Sequence, residues 1–200
     1  MKIATNRVSF GIDIEERLID LADDIDIATF RIERTEVTDR LGKVVLTGAQ
    51  KSWPPPPPQV DRSIYYCGFP GIATEYNPAA GIIFRSCTGG GLSTSISELD
   101  ICNQLERECM FPTGGKGIPA ENFDFGGISG GGMVAMVKGP IRSWMLAGVI
   151  YQGPNPSGDP DTAILGLEVI RARRAHFIRP DGTLDRDQWL YAGGPRKLIV

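Results

Sequence analysis

Histidine is almost missing from this chain: His176 is the only one in 200 residues. Cys67, Cys87, Cys102 and Cys109 show no C-x-x-C spacing, so the ligand set of a structural zinc is lacking, and neither a metal nor a cofactor is expected. A large charge of one sign is lacking as well. The net charge of -3 provides no basic surface, so nucleic acid and anionic membrane are not expected partners. Long hydrophobic runs are absent: the longest strongly apolar one, Trp144 to Tyr151, falls far short of the roughly 20 residues that cross a bilayer as a helix. The N-terminal MKIATNRVSFGIDIEERL has no apolar core of an export signal. These absences predict a soluble, cytoplasmic protein whose thiols stay reduced. Gly114-Gly115-Lys116 has neither the following Ser or Thr nor the upstream glycine of a phosphate loop, and is set aside.

Glycine and proline, by contrast, are plentiful, at 25 and 15 residues, which favours many turns and therefore β structure. Residues 13–24 are expected as a short acidic helix or an exposed turn. Ile25 to Ile32 predicts a strand, and Leu41 to Leu46 a second one. Trp53 and Pro54 to Pro58 form a stiff, extended connector, because proline has no N–H for a sheet ladder. Further strands are expected at Ser63 to Gly68 and at Gly81 to Cys87, the latter closed by Gly89-Gly90-Gly91. Ile96 to Leu105 and Glu108 to Phe111 lean towards strand. Met133 to Val137 and Trp144 to Tyr151, joined through Lys138-Gly139-Pro140, predict a buried hairpin. The basic stretch Arg171 to Arg174 is expected within a terminal helix over 167–177. Short strands at close spacing make the chain all-β, a barrel or sandwich.

The chemistry concentrates in Asp124-Phe125-Gly126-Gly127-Ile128-Ser129-Gly130-Gly131-Gly132. Five of the seven residues from 126 to 132 are glycine. Such a cluster marks backbone conformations that residues with a Cβ rarely adopt. A nucleophilic hydroxyl needs such a backbone, because peptide N–H groups must turn inward to hold a developing oxyanion. Upstream, Asp26 enters an apolar segment, where an acid is costly to bury unless something bonds to it. It is either a strand-edge residue facing water or the carboxylate that orients a catalytic histidine.

Taken in order, Asp26-Ile27-Ala28, then Cys67-Gly68-Phe69-Pro70-Gly71, then Gly127-Ile128-Ser129-Gly130-Gly131 before the hairpin through Gly148-Val149-Ile150, the chain resembles the trypsin-like serine peptidases. The likeness is to the bacterial, non-zymogen type and covers about residues 20 to 178. It implies a double β-barrel with the first barrel incomplete and a short C-terminal helix. Residues 1–62 would hold the remnant of the first barrel and the connector, 63–178 the second barrel, and 179–200 a tail. The resemblance further implies Ser129 as nucleophile and the amides of Gly127 and Ser129 as oxyanion hole. Asp26 would be the acid of the triad, and peptide or protein the substrate. Phe123, Gly148, Val149 and Ile150 would line the specificity pocket, with no acid on its floor and hence no preference for Lys or Arg. Ile128 stands where zymogen-type members carry an aspartate, so activation by a cleaved N-terminus is not implied.

The departure from that family is its base. The family's histidine precedes the aspartate, yet residues 1–25 contain none, and His176 lies in the expected terminal helix. A serine hydroxyl without a base is a poor nucleophile at neutral pH. The expectation is therefore a shortened, inactive peptidase domain, with a partner supplying or covering the missing strands. Two alternatives stand beside it. One is a non-catalytic binding or scaffold module. The other is an α/β-hydrolase-type esterase using Ser129, Asp159 or Asp161, and His176, although Gly130-Gly131-Gly132 disfavours the helix that its nucleophile elbow requires.

Overall fold

The computed structural model describes residues 2–4, 9–11, 13–40, 42, 53–54, 56–78, 81–84, 86–105, 123–137, 143–154 and 168–195. The chain divides into two compact units, one of residues 1–54 with 177–200 and one of residues 55–176. Among the described residues the architecture is almost entirely β.

The first unit contains two antiparallel ribbons. β1 (Lys2–Ala4) pairs with β2 (Ser9–Gly11), and β3 (Leu18–Ala22) pairs with β4 (Ile27–Phe30). The acidic segment expected as a short helix or an exposed turn forms a 3-10 turn at Glu15–Arg17 that runs straight into β3. Non-local bonds decide against the helix. Arg186 grips the Asp20 carboxylate through both terminal nitrogens, at 2.9 and 2.7 Å, and the Leu184 amide donates to it at 2.8 Å. Residues 182–186, expected within a tail, are thus bonded to the N-terminal segment; Thr29 Oγ1 also donates to the Gly182 carbonyl, at 2.7 Å. Trp189 is fully buried with its ring edge-on to Phe177, the centroids 5.2 Å apart.

The second unit is a seven-stranded antiparallel sheet. Its strands are β5 (Ser63–Gly68), β8 (Cys87–Leu92), β9 (Ser95–Ile96), β10 (Asp100–Gln104), β11 (Gly132–Val137), β12 (Ser143–Gln152) and β13 (Val169–Arg174). A separate ribbon joins β6 (Thr74–Asn77) to β7 (Gly81–Phe84). The sheet order is β8-β5-β11-β12-β13-β10-β9. Ser93 and Thr94 carry the chain from one edge of the sheet to the other. The Ser93 amide bonds to the Arg62 carbonyl at 3.0 Å, and the Thr94 amide to the Cys102 carbonyl at 2.9 Å. Asn103 Nδ2 of β10 also donates to the Leu92 carbonyl at the end of β8, at 2.7 Å. The sheet therefore curls into a barrel-like wall around Ile64, Tyr66, Ile101, Met133, Ile150 and Ile170. A second barrel is not found among the described residues.

Two expectations change here. The basic stretch at 171–174 is strand β13, because Ile170, Ala172 and Arg174 alternate inward with a period of two; the short C-terminal helix is α1 (Arg186–Tyr191), with Asp185 accepting from the Gln188 amide at its start. Gly89-Gly90-Gly91 lies inside β8 and does not close a turn. A Cβ at Gly89 would stand 2.4 Å from the Tyr66 hydroxyl, and one at Gly91 2.8 Å from Asn103 Nδ2, so neighbouring side chains occupy that space. The strands expected at 41–46 and 108–111 fall outside the described residues, apart from Gly42. The hairpin of β11 and β12 forms as expected, with an irregularity between Met133 and Val134.

Candidate active site

The Ser129 loop is fixed from beneath by its apolar residues. Phe125 and Ile128 are both 1% exposed and belong to the barrel core, whereas Gly126, Gly127, Ser129 and Gly130 between and beside them are exposed. Ile128 packs on bare backbone: a Cβ at Gly68 would lie 2.4 Å from Ile128 Cγ1. Gly131 meets β5 more tightly still, since a Cβ there would sit 2.1 Å from the Cys67 carbonyl oxygen. Gly127 and Gly130 adopt φ of +90° and +83°, where a side chain is strained.

The loop amides then divide into two sets. Gly126 N–H is taken by Asp124 Oδ1 at 2.7 Å and Ile128 N–H by the Phe125 carbonyl at 3.0 Å. Gly130 N–H bonds to the Ile150 carbonyl at 2.8 Å, and Gly131 N–H to the Ile128 carbonyl at 3.0 Å. Among the described residues, the amides of Gly127 and Ser129 donate to nothing. Both residues line a cavity of about 220 Å³ that runs between residues 124–129 and residues 151–154 at the end of β12.

The Ser129 hydroxyl donates to the Tyr151 carbonyl at 3.0 Å, so its proton rests on backbone and not on a base. Tyr151 is held by its own surroundings. Arg173 lies 4.1 Å above its ring, the Asp100 carboxylate is 3.4 Å from its hydroxyl, and Arg173 and Asp100 pair at 2.6 Å. Burial, then the Asp100 charge, push the Tyr151 hydroxyl up from the ordinary tyrosine range, so it stays neutral.

Asp26 belongs to the first unit and ends the 23–26 turn between β3 and β4, exposed, with φ +60° and its amide bonded to the Ala22 carbonyl at 2.8 Å. His176 is buried in the 3-10 turn Ala175–Phe177. Gly148, Val149 and Ile150 belong to β12 but stop one residue short of the cavity. Ile150 is core, and a Cβ at Gly148 would stand 2.5 Å from the Arg173 carbonyl oxygen. Phe123 packs edge-on against Phe125, with centroids 4.8 Å apart, and is not among the cavity walls. The cavity uses Asp124 and Tyr151 to Pro154 instead. Their signal was weak in sequence, since a wall shifted by one or two residues depends on strand register. Asp159 and Asp161 lie outside the described residues.

Among the described residues no cluster of three metal-ligating side chains occurs, and no helix is long and apolar enough to cross a membrane. Cys67 and Cys102 are free thiols, and Cys109 lies outside the described residues. No known family, curated protein or solved structure matches this chain.

Proposed function

We propose that the second unit is a serine-peptidase-like module, with Ser129 as nucleophile and the amides of Gly127 and Ser129 as its oxyanion-binding pair. The observation that carries this reading is the selective freeing of those two N–H groups. Their neighbours in the loop are all bonded, and both residues face the cavity beside the hydroxyl. Donors fixed in advance stabilise a tetrahedral oxyanion without reorganisation, and one such donor contributes about 3 to 4 kcal/mol to lowering a barrier. A barrel-like antiparallel sheet bearing the loop on core side chains is also what a trypsin-like reading requires.

Acyl transfer needs a base as well. The chain's single histidine is buried at 176, and the Ser129 proton lies on the Tyr151 carbonyl. Hydrolysis by this chain alone is therefore held to the residual level that binding and an oxyanion hole sustain, about 10³- to 10⁴-fold over water. A histidine from another segment or chain would complete the site. The exposed apolar side chains of Leu18, Leu21, Phe30 and Ile32 on and beside the β3–β4 ribbon suit a partner that covers it. Absence of the base also supports a second reading, in which the module only binds peptide carbonyl or carboxylate groups.

Labelling with a fluorophosphonate in the presence of high imidazole, with adducts mapped by mass spectrometry, separates the two. Imidazole-dependent modification of Ser129, lost in Ser129→Ala, is expected for a nucleophile. An unmodified Ser129 at every imidazole concentration leaves the binding module.

A further inference from the structure

The five consecutive prolines from Pro54 to Pro58 take no part in the Ser129 site. A proline ring fixes φ near about −65°, and a following proline drives the residue before it out of the helical region. Such a run is confined to polyproline II, a left-handed helix of about three residues per turn with no internal hydrogen bonds. Pro54, Pro56 and Pro57 are exposed and Pro58 is half-buried, and their carbonyls accept no hydrogen bond from the described residues. The flanking residues, by contrast, are tied down. The Trp53 indole N–H donates to the Ile178 carbonyl, and the Gln59 carbonyl accepts from the Ser93 hydroxyl at 2.7 Å. A period of three divides the rod into three edges. Pro54 and Pro57 share one edge, Pro56 and Gln59 share the next, and all four residues are exposed. Pro58 stands on the third edge, the one turned towards the protein's own surface.

We propose that this run is a docking motif for a partner domain with an aromatic-lined groove that reads PxxP, the groove chemistry of SH3 domains. A groove holds a three-edged rod by two adjacent edges and leaves the third outside. The two edges it needs are the two that this chain exposes, and the edge it leaves is that of Pro58. The proline rings supply apolar contact, and the unspent carbonyls accept from the tryptophan N–H and tyrosine O–H groups that line such a groove. Because φ is already fixed, docking orders little further backbone. This surface lies apart from Ser129, and its function does not depend on whether that residue is a nucleophile.

The test titrates the intact chain into a panel of isolated SH3 domains by calorimetry. At least one domain is expected to bind, and the free peptide acetyl-Trp-Pro-Pro-Pro-Pro-Pro-Gln-Val-amide should displace the chain from it, a check that needs no variant. Pro57→Ala removes a ring from an exposed edge and should weaken binding about tenfold, equivalent to about 1.4 kcal/mol. Pro58→Ala removes one from the inward edge and should leave the affinity within about twofold, or about 0.4 kcal/mol. The buried Trp189 indole resonance, kept in its native position, shows that both variants are folded. Failure of every domain to bind the chain, binding that the peptide does not displace, or equal losses in Pro57→Ala and Pro58→Ala would overturn the proposal.

Discussion

The loop of Ser129 and the turn of Asp26 both take the backbone into positive φ, at Gly127 and Gly130 in one and at Asp26 in the other, yet they are built in opposite ways. The Ser129 loop is sewn to a core. Phe125 and Ile128 are buried, Gly68 and Gly131 have no room for a Cβ, and two hydrogen bonds tie Gly130 and Gly131 to Ile150. The Asp26 turn is a four-residue link between the short strands β3 and β4, exposed at Asp26 and tied to Ala22 by one backbone bond. Positive φ alone does not distinguish a site from a turn. What distinguishes them is whether surrounding atoms over-determine the conformation and leave donors unspent.

Gly131→Ala should break the comparison most severely. The new Cβ would stand 2.1 Å from a backbone oxygen that cannot move without displacing β5, so the second unit should lose on the order of 3 kcal/mol or more. Chemical denaturation followed by Trp144 fluorescence would measure it, and an unchanged midpoint would mean that the loop is not pinned there. Ile128→Ala comes next. Emptying a fully buried site should cost about 2 to 5 kcal/mol, and should also release the Gly127 and Ser129 amides from their fixed geometry, so phosphonate labelling should fall with stability.

The first unit should instead respond to acid. Arg186, together with the Leu184 and Leu21 amides, holds the Asp20 carboxyl well below its usual value of 3.8, and Arg17 with the Glu33 amide holds Glu36 down at about 2. Both are depressed carboxylates. Their stabilisation is present above the unfolded pKa, near 4, and drains away as pH falls through the folded values. The indole resonance of Trp189 should therefore lose its native position at acid pH below about 4, and Asp20→Asn should flatten that dependence. A first unit equally stable across this window would argue against the ion pairs. The smallest effect belongs to Asp26→Gly, which relaxes an exposed left-handed residue and should shift the denaturation midpoint by no more than about 0.5 kcal/mol. A loss several times larger would show that the carboxylate is held by more than its turn.

These contrasts also explain what could be read from the chain alone. The β11–β12 hairpin and the all-β character were legible because apolar runs flanking a Gly/Pro turn are local signals. The Ser129 loop was legible because glycine at 127, 130 and 131 answers a backbone demand, even though Gly68, about sixty residues away, answers the same one from the other side. Strand β13 was misjudged because four basic or small residues look helical until Ile170, Ala172 and Arg174 are seen to face one way. Asp20 was invisible because its partner, Arg186, is remote in sequence. Asp124 was passed over for Phe123 because a cavity wall depends on register to a single residue.

One loop bonds its neighbours and, among the described residues, leaves the amides of Gly127 and Ser129 unspent. Amide hydrogen exchange of the free chain, resolved residue by residue, tests it directly. Protection should alternate: Ile128, Gly130 and Gly131 slow, Gly127 and Ser129 fast, the two classes differing by on the order of a hundredfold if each bonded amide opens only at a cost of about 3 kcal/mol. Gly127 and Ser129 protected as well as their neighbours, or Gly130 and Gly131 exchanging freely, would contradict the oxyanion-binding assignment.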